Sequence, residues 1–429
     1  MKITTGAALL ASAGLTRAAA IADRAASQAL CGQKAYQEGG NWYCQAVSHI
    51  TYTNVGTSGE YDDVVHMDQN TGNCIKAKRP FSGPLAPFNE QLSVHLRGPI
   101  HLKQMAVYMP GTSSRRESST LPGLGKVHPK REDADPPHTT QERREHPAVW
   151  VTAVIDGQTV SWINDWWGEP TASTESPAPV TSTPVTADPS PTQPPSSVPE
   201  SSGSAKGEFQ AEGLTFLANY GGMGSGKWTP VTMCSAFGNT LSYVDPTGST
   251  GAAGPQILAN TTIQSGKEVI IMTDQKCDAG CGYVQPGSVA YKGFDGSDKT
   301  FLFEFQMPHD DEAGVAAGAF LADQPALWML NARIPRTSQY GACSCFQTGC
   351  GEFDVFEVLA PGGAKCKSTL HSDARSSGGD SNFFHRPAAG EPVTVAVVYG
   401  SASRSVSVKI GDLAADAGGL ASSRFAIGS

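Results

Sequence analysis

Three carboxylates crowd into nine residues of this chain, GEFDVFEVL, from Gly351 to Leu359. Glu352, Asp354 and Glu357 stand at i, i+2 and i+5. On a plain β-strand side chains alternate faces with period two. Glu352 and Asp354 would then share a face, and Glu357 would point the other way, into the company of Phe353 and Val355. An unpaired buried charge is very costly. One extra residue at Val355-Phe356, a β-bulge, sorts both sets at once. The acid face becomes Glu352, Asp354, Glu357, and the apolar face becomes Phe353, Val355/Phe356, Val358. Bulges cluster beside active sites because they re-aim side chains. A solvent-facing acidic edge strand would explain the acids, but not the simultaneous phase change of the apolar residues.

Carboxylates in a row on one face repel, so at least one should hold a proton near neutral pH. A retaining glycosidase needs that pairing. One carboxylate attacks the anomeric carbon, and a protonated one about 5–5.5 Å away donates to the leaving oxygen. Two Glu on one strand, with an Asp between them, can lean together towards that distance. The Asp can fix the first Glu by a hydrogen bond.

These residues carry a resemblance. GEFDVFEVL resembles the bulged E-x-D-x-x-E motif of glycoside hydrolase family 16, the laminarinase-like β-glucanases. PALWMLNA upstream and STLHSD downstream are similar to the strands that flank the motif there. The chain is more similar still to a fungal cell-wall family described as probable circularly permuted 1,3-β-glucanases. Before the stalk described below, that likeness rests on CGQKAYQEGGNWYCQAVSHITYTNVG, FSGPLAPFNEQLSVHLRGPI and VTAVIDGQTVSWIND. After it, the likeness rests on CGYVQPGSVAYKGFDGSDKTFLFEFQMP, LNARIPRTSQYGACSCFQTGCGEFDVFEVL and NFFHRP. The resemblance implies an all-β fold, a concanavalin-like β-jelly-roll sandwich at the C-terminal end with an N-terminal β-rich module. It implies Glu352 as nucleophile, Glu357 as acid/base and Asp354 as the assisting carboxylate. His371 would hydrogen-bond near the acid/base, or be structural. Trp328 alternates with Leu327 and Met329, which puts it on the acids' side, as a sugar-stacking or a packing ring. Phe384 and Arg386 are further candidates for substrate contact. Permutation has internal support: only the residues from 360 onward follow the motif, so strands that normally come later must be supplied from before it.

The elements that must position these residues are short strands. Charged residues are only 17% of the 429, and 47 Gly and 29 Pro supply the breaks that many short strands need. No long stretch has the helical i, i+3, i+4, i+7 pattern. The N-terminus, MKITTGAALLASAGLTRAAA, resembles a secretory signal peptide over residues 1–20. Residues 21–168 form an N-terminal β-rich module, interrupted by a basic, apolar-poor loop at 111–147 that reads as disordered. Within it, Lys130-Arg131 is a dibasic pair that a processing protease could cut. Residues 169–206 are a Ser/Thr/Pro-rich stalk that cannot bury a core. Residues 207–429 form the catalytic sandwich. Asn260-Thr261-Thr262 is an N-glycosylation sequon.

Ten cysteines in a chain read as secreted imply disulfides. Cys31, Cys44 and Cys74 precede the stalk and the other seven follow it. Both groups are odd, so if all ten pair, a bridge joins the two halves. CSCFQTGC could instead offer three thiolates to a metal; secretion favours disulfides. The net charge of −9 is spread along the chain, which excludes a nucleic-acid surface. No run approaches a membrane span, and no apolar C-terminal tail signals an anchor. The expectation is a monomeric, secreted, wall-associated retaining endo-1,3-β-glucanase whose partner is cell-wall β-1,3-glucan, with no cofactor and no metal. A transglycosylase would use the same acids with a sugar hydroxyl in place of water. A non-catalytic glucan-binding or structural wall protein would share the stalk and signal but has no need for three crowded acids.

Overall fold

The run LSVHLR shows how these strands are written. Leu92, Val94 and Leu96 alternate with Ser93, His95 and Arg97, and the first three are buried in the main core. The same alternation buries Phe301, Phe303 and Phe305 of Lys299–Gln306, Val395, Val397 and Tyr399 of Val393–Gly400, and Ile50 and Tyr52 of His49–Thr53. Each such side chain contributes about 1.5–3 kcal/mol when fully buried. The computed structural model describes residues 35–68, 70–109, 150–155, 158–163, 210–220, 239–310, 321–371, 378–379, 381–411 and 425–428. The signal sequence, Lys130 and Arg131, the stalk, Cys31 and Cys234 lie outside the described residues.

The strands form two large antiparallel sheets that enclose one hydrophobic core, an all-β jelly-roll-like sandwich. One sheet has nine strands, in the order Gln210–Glu212, Phe425–Gly428, His101–Tyr108, Lys299–Gln306, Val393–Gly400, Ser405–Ile410, His49–Thr53, Trp150–Ile155 and Gln158–Ile163. The other runs Gly251–Ala252, Ser242–Val244, Leu214–Ala218, Glu268–Thr273, Leu92–Arg97, Ala326–Asn331, Glu352–Val358, Lys365–His371 and Gly378–Gly379, with Phe384–His385 also paired to Lys365–His371. Two hairpins stand apart from both sheets: Tyr36–Glu38 with Asn41–Tyr43, and Gly59–Asp68 with Asn73–Phe81.

Strands from the two sides of the stalk alternate within the same sheets. Leu92–Arg97 lies between Glu268–Thr273 and Ala326–Asn331. His101–Tyr108 pairs with Lys299–Gln306, and His49–Thr53 with Ser405–Ile410. The sequence reading set an N-terminal module beside a C-terminal sandwich; in the fold each stretch supplies interior strands to the other. The reason is physical: an interior strand needs hydrogen-bonded neighbours on both edges, and without residues 92–108 one sheet would split at its centre and the other would lose the two strands beyond His101–Tyr108. Cys74–Cys343 joins the two stretches covalently across a separation of 269 residues. Cys277–Cys281 and Cys345–Cys350 are also bonded, as is Cys44, so the cysteines of CSCFQTGC are committed to disulfides rather than to a metal. Cys366 is a free, buried thiol. Among the described residues, no helix is long and apolar enough to cross a membrane.

Candidate active site

The acid strand Glu352–Val358 is bulged where the phase of its residues requires it. Against Ala326–Asn331, Leu327 pairs with Phe356 and Trp328 with Asp354, so Val355 has no partner. Against Lys365–His371, Asp354 pairs with Thr369 and Glu357 with Lys367, so Val355 and Phe356 together face Ser368. Phe353, Val355, Phe356 and Val358 are all fully buried in the core. The acids therefore share the opposite face. Gly351 turns the chain into the strand at φ +111, a conformation that favours glycine, and a Cβ there would meet the Phe88 ring at 3.3 Å.

Register across the sheet lays the site out in three rows. Ser93, Leu330, Glu352 and His371 form the first; His95, Trp328, Asp354 and Thr369 the second; Glu268, Arg97, Ala326, Glu357 and Lys367 the third. Side chains directly opposite one another in an antiparallel pair point to the same face, so residues far apart in sequence meet here.

Each acid has its own partner. The Tyr340 hydroxyl donates to Glu352 Oε1 at 2.9 Å and accepts from Trp328 Nε1 at 2.9 Å. His371 Nε2 is hydrogen-bonded to Asp354 Oδ2 at 3.1 Å. Arg97 Nη2 donates to Glu357 Oε1 at 3.2 Å, while its Nε is held by Gln324 O at 2.7 Å. The Arg97 guanidinium also lies 5.8 Å from the Trp328 ring centroid. His95, beside Trp328, is bonded to Glu268 Oε1 at 2.7 Å and to Ser93 Oγ at 2.8 Å. Lys367, opposite Glu357, is drawn aside to Trp42 O in the 36–43 hairpin.

Exposure is graded along the site. Glu352 and Asp354 are 8% and 7% exposed, while the Glu357 and His371 side chains reach 23% and 33%. The two more exposed groups stand at opposite ends of the rows, His371 beside Glu352 and Glu357 in the third row. Burial, then the charge of Asp354, raises both Glu352 and Glu357 above the ordinary carboxylate range. Burial pulls the His371 imidazole down, but its bond to Asp354 and the charges of the three acids outweigh this and lift it to about 9. With Arg97 and a protonated His371 as the cations, the three acids can share one proton without a large charge imbalance. Such a site can present a carboxylate and a carboxylic acid on one strand at once. The ligand atoms of Glu352, Asp354 and His371 also lie within 4.8 Å of one another, a set a divalent cation could share.

Other sequence candidates sit elsewhere or differently. Phe384 is fully buried and stacks on Phe356 at 4.5 Å, so it supports the bulge from inside the core and is not a surface for sugar. Arg386 is buried too. It pairs with Asp323 and donates to the carbonyls of Met307, Gly363 and Pro308, which leaves it an internal brace. His371 binds Asp354 and not Glu357. Trp328 lies on the acids' face, but it is only 3% exposed and turned to Tyr340. Asn260 is exposed, with Oδ1 bonded to His101 Nε2 at 2.6 Å. A cavity of about 340 Å³ lies near the start of the acid strand but is walled by Arg79, Glu90, Asn331, Arg333 and Arg336, not by the acids. Its guanidiniums are engaged by Glu90, Asp63, Gln91 and backbone carbonyls.

Sequence reading did not find Arg97, His95 or Tyr340. The alternation in LSVHLR marks Arg97 and His95 as sharing a polar face, but their meeting with the acids depends on distant register. Tyr340, in a loop twelve residues before Glu352, lies within a stretch that carries the family resemblance, but nothing local in it points to Glu352.

A family model described as "Cell wall protein YJL171C/Tos1, C-terminal" matches residues 204–423, and its N-terminal counterpart matches residues 48–110. A probable circularly permuted 1,3-β-glucanase of Arthroderma benhamiae is 41% identical, over 87% of this chain and 86% of its own length. Proteins named probable circularly permuted 1,3-β-glucanase TOS1 are 36% identical in Saccharomyces cerevisiae, over 86% of this chain and 87% of theirs, and 36% identical in Candida albicans, over 82% and 84%. No solved structure matches the chain.

Proposed function

This chain belongs to the YJL171C/Tos1 family of cell wall proteins, and from that premise we propose that it is a retaining endo-1,3-β-glucanase acting on cell-wall β-glucan. The observation that carries the reading is the bulge. It brings Glu352, Asp354 and Glu357 onto one face and leaves every apolar residue of the strand in the core. The names of the relatives supply the substrate class.

In this reading Glu352 attacks the anomeric carbon and Glu357 protonates the departing oxygen. Asp354 lies between them, tied to His371, and its negative charge favours keeping a proton on a neighbouring glutamic acid. Glu357 suits the acid role because it is half-buried where Glu352 is buried, so the leaving sugar and then water can reach it more readily. Arg97 holds it from the side. When the leaving group has gone, the same carboxylate accepts a proton from the incoming water. The exposed sequon at Asn260 would carry a glycan, and the chain would act outside the cell.

Glu352→Gln and Glu357→Gln should each abolish cleavage of laminari-oligosaccharides while the circular dichroism spectrum is unchanged. The first-formed product should be the β-anomer, read by NMR. Mass spectrometry with and without added acceptor oligosaccharide separates hydrolysis from transfer. A wild-type protein that neither cleaves nor transfers any β-glucan would leave the glucan-binding alternative in its place.

A further inference from the structure

Tyr340 has no part in the sequence motif, yet its hydroxyl is the hydrogen-bond donor to Glu352. Building on the glucanase reading, we propose that Tyr340 is a positioning residue for the nucleophile: it holds Glu352 by Oε1, so that Oε2 is the oxygen aimed at the anomeric carbon. Three observations on the geometry support this. The hydroxyl accepts from Trp328 Nε1, so its own proton is directed to the carboxylate. The ring stands edge-on to Phe346 at 4.9 Å, which limits its rotation. Its loop is fastened on the C-terminal side by Cys343–Cys74 and Cys345–Cys350. A relay from an indole through a phenol to one carboxylate oxygen, built on a doubly cross-linked loop, fixes both distance and direction. The ring leaves Tyr340 44% exposed, but its hydroxyl end is engaged between Trp328 and Glu352; desolvation there, then the charge of Glu352, raise the hydroxyl well above its ordinary value, so it remains a donor at any pH where the acids function.

Glu352 Oε2 forms a bond to the anomeric carbon as that carbon's bond to the leaving oxygen breaks, and the leaving oxygen takes the proton of Glu357. Water then attacks the same carbon, gives its proton to Glu357 and releases Glu352 as a carboxylate.

The test is Tyr340→Phe, which keeps the ring and its contact with Phe346. With laminari-oligosaccharides, kcat should fall about 10- to 100-fold, the loss expected for one hydrogen bond to a charged group, with KM little changed. The acidic limb of the pH profile should move to higher pH, because the carboxylate has lost a donor. An aryl β-laminaribioside with a good leaving group needs little acid assistance. It should rescue bond cleavage in Glu357→Gln but not in Tyr340→Phe. A variant with wild-type kcat and pH profile, or one changed only in KM, overturns the proposal. Carbodiimide labelling followed by peptide mass spectrometry reads the bond without turnover, since it modifies protonated carboxyls. Tyr340→Phe should label faster at Glu352 and unchanged at Glu357; equal labelling at Glu352 overturns the proposal. If the wild type turns over neither substrate, the glucanase reading falls, and the labelling still decides whether Tyr340 holds Glu352.

Discussion

Deleting Val355 should leave the acid strand folded, whereas deleting Phe353, two residues away, should unfold the protein. Val355 is the unpaired residue of the bulge. Without it, Leu327–Phe356 and Trp328–Asp354 become consecutive pairs on one side. Thr369–Asp354, Ser368–Phe356 and Lys367–Glu357 become consecutive on the other. The shortened strand alternates regularly, with Glu352, Asp354 and Glu357 outward and Phe353, Phe356 and Val358 inward. The loss is one buried valine, about 1–3 kcal/mol. Deleting Phe353 leaves no such solution. If the bulge persists, Glu352 turns into the core; if it straightens, Asp354 does. Either outcome adds several kcal/mol of carboxyl desolvation to the 3–5 kcal/mol that a lost core phenylalanine costs. The sum, about 6–10 kcal/mol, is comparable to the whole stability of a typical domain. Denaturant unfolding followed by circular dichroism measures both variants, and the release of reducing ends from laminarin shows whether the acids still cooperate. A Phe353 deletion as stable as the Val355 deletion, or a Val355 deletion that does not fold, would refute the account of the bulge.

The folded value of His371, about 9, is above its ordinary 6.5. Its stabilising contribution is therefore complete below about pH 6.5 and is lost as pH rises through 9. His371→Gln should remove that decline, about 1 kcal/mol after allowance for its one-third exposure, in urea titrations at pH 6 and pH 9.5. Glu352 and Glu357 are raised in the folded state, so their protonation favours the fold and that contribution is lost as pH rises above the ordinary carboxylate value; Glu357→Gln should flatten this part of the stability profile. Arg386→Met should cost about 3–5 kcal/mol by leaving Asp323 buried and unpaired, with KM unchanged in the fraction that stays folded; a raised KM would return Arg386 to substrate contact. Replacing Cys74 and Cys343 together by serine should lower stability by about 2–5 kcal/mol, read from the denaturation midpoint, because the bridge closes a long loop.

Much of this protein was legible in GEFDVFEVL and in runs such as LSVHLR. Side chains one and two apart decide which face of a strand is apolar, and that period is a local property of the chain. The need for a bulge followed from the same local rule, because two sets of residues slipped phase at one point. The glutamate partners were not legible. Arg97 reaches Glu357 across a separation of 260 residues, and that meeting depends on the pairing register of two successive strand interfaces. Tyr340 reaches Glu352 from a loop whose course is set by bridges to Cys74 and Cys350. Phe384 and Arg386 were candidates for substrate contact in NFFHRP, but which way a short strand faces depends on the layer packed against it. Local sequence therefore determined the acids and their common face. Only the tertiary structure decided which groups hold each acid, because long-range register is a sum over many pairings and no single stretch encodes it.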